Sequence, residues 1–553
     1  MERFDYVIVG GGSAASVLAY RLGEAGKSVC VLEAGGSNRG LLARLPGNFT
    51  KQMFDPSVSF QYSHEPTDAV YGRRIHVVQG RTLGGSSALN GLMYNRGQNI
   101  GFDGWAELGN PGWSYREVLP YFQRAESAVV GLGDDAFRGR TGRLPVEECR
   151  WKNDACEAFI EGAVSLGIPR NKDYNGQTQL GAGYYQTFIH RGQRWSAARA
   201  FLDPAHRQFG VSVRTDSPVA RILLEGRKAV GVRYRRGTSD AFGEVFANVA
   251  VVVSAGTANT AKLLPLSGLG PGALLREHGI DVRHDMPGVG ENFRDHFSPR
   301  LVGSAKAGVD SINGRVRGLR LGLEMLAWAM NRPSVVAVPA MQSYAYWKTD
   351  PALAVPDFAT SFAPVSYKAG LIGALDAFPG VTLGTKQLRP ESRGTVRIRS
   401  ADDRDPPLLQ PNYLDDERDR AVVVKALKWA RALLTSKPME RILEIETFPG
   451  PQVNTDDEWL DFARRSANSG YHLMGTAKMG PATDPMAVVD ARLKVHGMEG
   501  LFVADCSIMP TMPSGNTFAS ALMIGDKCAD MLLGKDAAAT TRHDTQQPVA
   551  VAA

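Results

Sequence analysis

Cysteine is scarce in this chain, and its few cysteines form no recognisable set. There are five, at Cys30, Cys149, Cys156, Cys506 and Cys528. The number is odd, no C-x-x-C pair occurs, and the spacings match no zinc-ligand pattern. We therefore expect free thiols, as in a protein of the reducing cytosol, and neither a disulfide framework nor a metal site.

Long apolar runs and clusters of charge are also missing. No uninterrupted apolar stretch reaches the about 18 residues that a transmembrane helix needs, and the N-terminus enters a strand without room for a signal peptide. We therefore expect a cytoplasmic protein. Lys and Arg total 63 against 57 Asp and Glu, a net charge of +6. This mild excess contains no basic block with interleaved aromatic residues, so we expect no nucleic-acid partner.

What remains is the composition of a large globular protein. Hydrophobic residues make up 43% of the 553 residues and charged residues 22%, values that exclude a disordered chain. The length favours two or more domains. Much of the glycine, 60 residues in all, lies in short clusters, and these clusters carry the functional information.

The first glycine cluster lies in a nucleotide-binding pattern. Residues 5–9 (DYVIV) are apolar, as in a buried parallel strand, and residues 10–15 (GGGSAA) fit G-x-G-x-x-A before a segment of helical periodicity. In such a motif Gly10 permits a tight turn and Gly12 lets the backbone approach a pyrophosphate at the helix N-terminus. A second strand ends at Glu33, which can accept from both ribose hydroxyls and disfavours NADP. FAD and NAD remain, and the position at the start of a long chain favours FAD.

Three later regions indicate the domain organisation. Residues 211–255 contain four strand-like runs, which predict a small β-meander that returns to the main sheet. Between about 300 and 460 the character changes, and we interpret this stretch as a second domain. Apolar residues at helical spacing over 316–330, with arginines at one end, are expected to pack against that domain; peripheral membrane contact is the alternative. The tail, 536–553, lacks periodicity and is expected to be disordered.

Two denser motifs identify a family. Residues 80–91 read GRTLGGSSALNG, and residues 256–264 read GTANTAKLL. They resemble the two signatures of the glucose–methanol–choline (GMC) oxidoreductases. Further stretches that resemble the family lie at 105–122, 192–202 and 288–296 and in VADCSIMP and SGNT near the C-terminus. The resemblance covers about residues 4–534 and is most like the bacterial FAD-dependent alcohol dehydrogenases and oxidases.

This resemblance implies a fold and a cofactor. We expect an α/β, Rossmann-like FAD-binding domain that is discontinuous in sequence, over 1–155, 210–300 and 465–535. A sheet-containing substrate domain of α+β character, also discontinuous, is expected over 156–209 and 301–464. In family members with a covalent flavin, a histidine often precedes the position of Asn90. Here that residue is Leu89, so we expect FAD to be bound noncovalently.

Cofactor-binding residues are expected along these motifs. Residues 84–87 (GGSS) offer consecutive backbone N–H groups and hydroxyls to phosphate oxygens. The resemblance places Phe60 and Val219 near the adenosine, Asp505 and Cys506 along the ribityl–pyrophosphate, and Thr517 at the pyrimidine end of the flavin. The full set that it implies is Gly10, Gly12, Ser13, Glu33, Phe60, Leu83, Gly84, Gly85, Ser87, Asn90, Gly91, Leu92, Met93, Val219, Tyr471, Asp505, Cys506, Asn516 and Thr517.

A catalytic pair follows from the same resemblance. Alcohol oxidation requires removal of the hydroxyl proton, and a histidine with a near-neutral pKa suits that task. Ten histidines are present, and chemistry alone selects none of them. His472, in GYHLMG, matches the family segment that carries the base, and Asn516, in SGNT, matches its partner. We expect His472 to accept the hydroxyl proton while Asn516 donates to the same oxygen.

Several other polar residues receive a structural interpretation. His190, His296 and His496 are expected to belong to packed or turn segments. Arg191 and Arg194 could bind an anionic substrate, but solvated surface charges are the preferred interpretation. Five further residues are expected in the core, with the wall of a substrate pocket as the alternative: Trp328, Met330, Met341, Tyr344 and Tyr346.

The expected function is FAD-dependent oxidation of a small-molecule alcohol, a primary alcohol being favoured, with O2 or a quinone as electron acceptor. The alternative is a lyase or decarboxylase on the GMC scaffold. The light-driven decarboxylases of the family use a cysteine in the substrate domain, and no cysteine lies between Cys156 and Cys506. An inactive flavin-binding protein is disfavoured because both members of the catalytic pair are retained.

Overall fold

A computed structural model of the chain describes residues 1–37, 39–237, 239–368 and 374–536. All but the first residue of the tail predicted to be disordered therefore lies outside the described residues. The helices are α1 Ser13–Glu24, α2 Leu41–Arg44, α3 Phe49–Met53, α4 Asn99–Glu107, α5 Tyr115–Ala125, α6 Asp154–Ser165, α7 Asp203–Phe209, α8 Thr257–Leu266, α9 Gly272–Glu277, α10 Ile312–Arg315, α11 Gly318–Ala329, α12 Glu417–Leu434, α13 Asp456–Ser466 and α14 Phe518–Leu532.

The described chain also contains 26 strands. They are β1 Arg3–Val9, β2 Val29–Leu32, β3 Ser59–Ser63, β4 His76–Gly80, β5 Glu126–Ala128, β6 Leu144–Glu148, β7 Gly181–Tyr184, β8 Gln186–Thr187, β9 Ile189–His190, β10 Gln193–Arg194, β11 Ser212–Arg214, β12 Val219–Glu225, β13 Lys228–Arg235, β14 Phe242–Val253, β15 Leu269–Gly270, β16 His284–Asp285, β17 Phe297–Ser298, β18 Arg300–Ala305, β19 Ser343–Trp347, β20 Phe358–Ala363, β21 Gly380–Gln387, β22 Thr395–Arg397, β23 Leu408–Gln410, β24 Leu443–Phe448, β25 Asn468–Ser469 and β26 Leu501–Val503.

The first large sheet carries the nucleotide-binding turn. Its strand order is β11-β2-β1-β14-β13-β12, and β26 pairs with β14. β1 lies parallel to both β2 and β14, and the apolar ends of these strands are fully buried, as expected for strands covered on both faces. β12, β13 and β14 run antiparallel, which confirms the predicted meander and its return to the main sheet.

α14, the last helix of the described chain, packs against α1, the first helix. Gly525 of α14 lies so close to α1 that a Cβ atom there would be 2.2 Å from the carbonyl oxygen of Ala14. Arg21 of α1 forms ion pairs with Asp526 and Asp530 of α14. The two helices are therefore held together by a close backbone approach and by a partly buried charge cluster.

The second large sheet has the order β24-β18-β21-β20-β19-β7, and all its pairings are antiparallel. α6 and α12 pack against one face, where Leu301, Phe362 and Leu383 join their apolar core. Alternate residues of the same strands point to the opposite face. The strands of the first sheet lie in 1–155, 210–300 and 465–535, and those of the second sheet lie in 156–209 and 301–464, except that β18 begins at Arg300. The domain boundaries stay a prediction.

The segment predicted to be helical over 316–330 forms α11, but it packs less completely than expected. Leu319 is 92% exposed, and Leu323 and Leu326 are exposed as well. The other side of the helix contacts the second core through Met325 and Trp328. Across the described part of the chain, no helix is both long and apolar enough to cross a membrane.

Candidate active site

A cavity of about 680 Å³ is lined by the nucleotide-binding turn at one end and by the second sheet at the other. All but two of the expected site residues line it: Gly10, Gly12, Ser13, Glu33, Phe60, Gly85, Ser87, Asn90, Gly91, Leu92, Met93, Val219, Tyr471, His472, Asp505, Cys506, Asn516 and Thr517. The exceptions are Leu83, a buried core residue, and Gly84, whose N–H donates to the carbonyl of Gly11 at 2.7 Å. These two residues lie behind the residues that form the cavity wall.

Close backbone packing shapes the nucleotide end of the cavity. Gly10 has a φ of 98°, and a Cβ there would be 2.4 Å from the carbonyl oxygen of Ser254. At Gly85 a Cβ would be 2.9 Å from the Cα of Gly12, so the two glycine loops touch. No side chain caps the N-terminus of α1, whose first turn faces the cavity and leaves backbone N–H groups for an anion. These features fit the pyrophosphate of a dinucleotide.

Glu33 lies beside this turn with its carboxylate already anchored. Its Oε2 accepts from the N–H of Gly11 at 2.8 Å, and its Oε1 accepts from the N–H of Gly35 at 2.9 Å. Burial raises the pKa of Glu33 to about 7, against the opposing effect of these backbone donors. Each carboxylate oxygen keeps a further acceptor position, and the residue lines the cavity, so a ribose diol fits there.

The loop after β4 is held by a residue that the sequence interpretation assigned to the surface. Arg194 is only 3% exposed, and its Nη1 donates to the carbonyl of Ser87 and to Oδ1 of Asn90, each at 3.1 Å. Its burial lowers the pKa of the guanidinium to about 9. The expectation of a solvated charge was therefore wrong for Arg194, whereas Arg191 is exposed as expected. Arg194 fixes the loop that presents Asn90 to the cavity.

The predicted catalytic pair is in direct contact. Nδ2 of Asn516 lies 2.9 Å from Nε2 of His472, and Nζ of Lys386 donates to Oδ1 of Asn516 at 3.3 Å. Because an ammonium can only donate, Oδ1 is the acceptor and Nδ2 is the donor toward His472. Nε2 of His472 therefore carries the lone pair and faces the cavity as a base.

A second histidine fixes the other side of the ring. Nδ1 of His296 lies 2.9 Å from Nδ1 of His472, and Nε2 of His296 lies 3.1 Å from the carbonyl oxygen of Leu388. A carbonyl oxygen only accepts, so His296 carries its proton on Nε2 and accepts the Nδ1–H of His472. His296 is fully buried, as expected for a packed segment, and nothing in the sequence indicated its contact with His472. The two histidines are 176 positions apart, and no local pattern relates them.

Local chain features bring these two rings together. Gly470 leaves no room for a side chain, since a Cβ would lie 2.8 Å from Cβ of His296 and 3.1 Å from Nδ1 of His472. Tyr471 has a φ of 62°, an uncommon conformation for a bulky residue that is typical of functional sites. Oδ1 of Asp295 accepts from the backbone N–H groups of His296, at 2.8 Å, and His472, at 2.7 Å. One buried carboxylate thus anchors both backbones.

The surroundings keep the base uncharged. Loss of hydration lowers the pKa of His472 well below its usual range, and the positive charge of Lys386 and the neighbouring His296 act in the same direction. Burial also lowers the pKa of Lys386, to about 8, with Asp295 opposing the fall. At neutral pH the imidazole is therefore free to accept a proton while the ammonium remains mostly charged.

Other cavity residues were not predicted from the sequence. Ser298, Arg300, Ser361, Tyr367 and Lys386 come from or beside the second sheet. Met341 lines the cavity, whereas Tyr344 and Tyr346 lie in a buried tyrosine cluster, as expected. Trp328 packs against the second core, but Met330 is 50% exposed, so the expectation of a core position was wrong for it. The hydroxyl of Tyr471 is buried and has no hydrogen-bond partner in the described chain. Within the same residues no group of three or more His, Cys, Asp or Glu is placed to hold a metal ion.

Comparison with known proteins agrees with this architecture. Residues 4–298 and 390–525 match the two models of the GMC oxidoreductase family. The chain is 36% identical over 543 residues to an oxygen-dependent choline dehydrogenase of Brucella ovis, covering 98% of this chain and 97% of that protein. It is also 36% identical to a protein of the same name from Staphylococcus aureus, covering 97% of this chain and 94% of the relative.

Solved structures give the same result. Pyridoxine 4-oxidase from Mesorbium loti is 32% identical, with a TM-score of 0.85 over 95% of this chain and 98% of that one. Formate oxidase from Aspergillus oryzae RIB40 has a TM-score of 0.88 over 97% of this chain and 98% of its own at 24% identity, which shows the shared fold. The chain therefore belongs to the GMC oxidoreductase family and is an FAD-dependent oxidoreductase that acts on CH–OH groups.

Proposed function

We propose that the enzyme oxidises a primary alcohol to an aldehyde, with His472 as the base and Asn516 as the donor that holds the alcohol oxygen. The contact between Nε2 of His472 and Nδ2 of Asn516, at 2.9 Å, carries this proposal. An alcohol oxygen that displaces this hydrogen bond accepts the N–H of Asn516 and donates its proton to Nε2 of His472. Both atoms face the cavity that also contains the dinucleotide-binding turn.

The proposed reaction removes a proton and a hydride from the alcohol. The hydroxyl proton moves to Nε2 of His472, and the resulting imidazolium keeps its Nδ1–H bonded to His296. Negative charge that develops on the alcohol oxygen is held by the N–H of Asn516. As the carbonyl forms, the carbon loses a hydride with both electrons of its C–H bond. FAD, when bound, supplies the hydride acceptor at its N5 atom.

We propose that FAD is held noncovalently. Leu89 lines the cavity at the position where related enzymes with a covalent flavin often have histidine, and its side chain contains no nucleophile. Asn90 and Gly91 follow it in the wall of the same cavity. At Gly91 a Cβ would lie 2.7 Å from Cβ of Ala340, so this loop and the substrate side are in close contact.

The electron acceptor is proposed to be O2 rather than a quinone. The relative from Brucella ovis is named oxygen-dependent, and the structural relative from Mesorbium loti is named an oxidase. Rapid reoxidation of the reduced enzyme by air, without a faster reaction with a soluble quinone, is the expected result.

Anaerobic mixing of the holoenzyme with a panel of primary alcohols tests the proposed reaction. Bleaching of the flavin absorbance, together with formation of the aldehyde, is expected for at least one alcohol. The His472→Ala variant should keep its FAD and lose most of the bleaching rate. Product formation from an alcohol without any flavin reduction would instead support the lyase alternative.

A further inference from the structure

Two cationic side chains lie on one face of the second sheet, inside the cavity. Arg300 of β18 is directly opposite Gly384 of β21, and Lys386 is two residues further along β21 on the same face. Side chains in this diagonal relation start about 7–8 Å apart. Gly384 contributes no side chain, and a Cβ there would lie 3.2 Å from Cε of Met341, so the two cations line one cavity beside this methionine.

The described residues provide no counter-ion within this space. Lys386 is 8% exposed, and its recorded hydrogen-bond partner is the neutral Oδ1 of Asn516. No ion pair of Arg300 or Lys386 is found in the described chain, and the segment 369–373 outside it reads AGLIG, which contains no ionisable side chain. The acidic residues that line the cavity, Glu33, Asp403 and Asp505, are each already bound to other groups.

Asp295 is the acid whose charge reaches Lys386, but it does not line the cavity. Its carboxylate accepts from the backbones of both active-site histidines and from the hydroxyls of Tyr413 and Ser469. The hydrogen bonds of the Asp295 carboxylate are therefore made outside the cavity wall, behind His472. A bound anion would meet Lys386 from the open side.

Unpaired donors accompany the two cations. The hydroxyl of Tyr471 is buried without a partner, and the charge of Arg300 acts on both Tyr471 and Tyr367, opposing the rise that burial causes in each pKa. Both tyrosines line the cavity. The substrate end thus offers a guanidinium, an ammonium and a free hydroxyl, all of which donate to oxygen.

We infer that the substrate is an anionic alcohol, one that carries a carboxylate or a phosphate ester, whose oxyanion binds Arg300 and Lys386 while its hydroxyl meets the catalytic pair. This inference rests on the proposed function and specifies its substrate class. Because Lys386 and the alcohol hydroxyl both contact Asn516, the anion and the hydroxyl are separated by few bonds. Hydroxy acids of about two to four carbons satisfy this geometry with hydrogen bonds of about 3 Å.

The same charges exclude a cationic substrate. Choline carries a permanent positive charge, and here it would meet two cations, while the acidic residues that line the cavity, Glu33, Asp403 and Asp505, are already bound to other groups. The relatives named choline dehydrogenase are 36% identical over nearly the whole chain, and the two cations lead us to expect a different substrate preference for this chain. We expect no flavin reduction by choline at concentrations at which the preferred hydroxy acid saturates the enzyme.

Matched substrates test this inference on the holoenzyme. Anaerobic flavin reduction is measured with hydroxy carboxylates of two to eight carbons, with the primary amide of each, with the corresponding alcohol phosphates, and with choline. The expected result is a kcat/KM for a short carboxylate or phosphate that exceeds the neutral partner by roughly 10–100-fold, the worth of a charge-assisted hydrogen bond. Whichever of the carboxylate and the phosphate has the higher kcat/KM identifies the oxyanion that the site binds. Amides or choline that react as well as the anions overturn the inference but leave the proposed oxidation intact.

Variants locate the effect in the cavity. Arg300→Gln and Lys386→Met should each reduce the ratio of anion to amide by about tenfold or more, and Arg300→Lys should retain part of it. Since Lys386 also contacts Asn516, the amide measured with the same variant corrects for any loss of alignment. Arg233→Gln removes one exposed positive charge from β13 and is the matched control, with no expected change in the ratio. A ratio unchanged in both cavity variants refutes the assignment.

A binding measurement separates this inference from the proposed reaction. Propionate and propionamide have no hydroxyl, and their binding is followed through the flavin absorbance of the holoenzyme. We expect propionate to bind more tightly than propionamide, and Arg300→Gln to abolish the difference. If no alcohol reduces the flavin but propionate binds in this way, the proposed oxidation fails and the anion site stands. Equal binding of the two probes means that the anion site fails.

Discussion

Replacement of His296 by Leu tests whether the second histidine controls the base. The variant removes the acceptor of the Nδ1–H of His472. It places an apolar side chain of similar size in the same fully buried position. The imidazolium that forms during the reaction then has an unpaired N–H. A hydrogen bond to a charged group contributes about 1.5–3 kcal/mol, and about 1.4 kcal/mol corresponds to tenfold in rate. The limiting rate of flavin reduction should therefore fall by about 10–150-fold.

The pH profile distinguishes this role from a general loss of structure. In the wild type the pKa of His472 lies well below its usual range, so the rate should be constant above about pH 6.5 and fall on the acidic side, where Nε2 is already protonated. Loss of the acceptor destabilises the imidazolium and lowers that pKa further. The variant should therefore have a lower plateau and an acidic limb that has not moved to higher pH.

Anaerobic stopped-flow over pH 5–9 measures both quantities, with KM reported separately from the limiting rate. His296→Asn is the conservative control, because its amide oxygen can accept the same proton and should restore part of the rate. FAD content and thermal stability serve as controls for folding. A His296→Leu enzyme with full FAD content and a limiting rate within about twofold of the wild type would refute the tautomer assignment, since an imidazolium that needs this acceptor cannot lose it without cost.

The remaining predictions concern the catalytic pair His472 and Asn516, the binding of FAD, and the charge of Lys386. His472→Ala should keep FAD and lose about 10²–10⁴ in the rate of flavin reduction, and Asn516→Ala about 10²; the double variant should lose less than the product, because both groups act on one oxygen. Acid precipitation should release all FAD into the supernatant, because Leu89 forms no bond to it; flavin in the pellet would contradict noncovalent binding. Glu33→Ala should weaken FAD retention in a dilution or gel-filtration assay, and full occupancy would show that the ribose lies elsewhere. For an anionic substrate, kcat/KM should fall as pH rises through about 8, where Lys386 loses its charge beside Asp295 and the two neutral histidines, and Lys386→Arg should move that fall to higher pH.

Much of the fold could be predicted because its determinants are local. The turn at Gly10 and the strand that ends at Glu33 lie within one short segment, and the apolar runs of 211–255 specify their strands by themselves. The catalytic pair required the family resemblance, since His472 and Asn516 are related by no helical or strand period. In the structure the two side chains are in contact, and their roles as base and donor stay a prediction.

Contacts between distant segments could not be predicted in this way. His296, Lys386 and Arg194 each contact the site across about a hundred residues or more, and each looks like an ordinary polar residue in its own segment. Arg194 shows the physical reason. An arginine is assigned to the surface by default. Only the surrounding fold shows that Arg194 is buried, with Nη1 donating to acceptors of another loop while Nε and Nη2 have no partner in the described chain.

The contact between α1 and α14 determines when the cofactor site can form during synthesis. Residues near the start of the chain build the phosphate-binding turn, but Gly525 and the acidic residues that pair with Arg21 are translated more than 500 residues later. At about 5–20 residues per second the delay is on the order of 25–100 s. Throughout that interval the nascent first sheet lacks β26 and its covering helix. Cofactor capture is therefore an event of the completed chain, and C-terminal truncations that remove α14 should yield apoprotein even though every glycine of the turn is present.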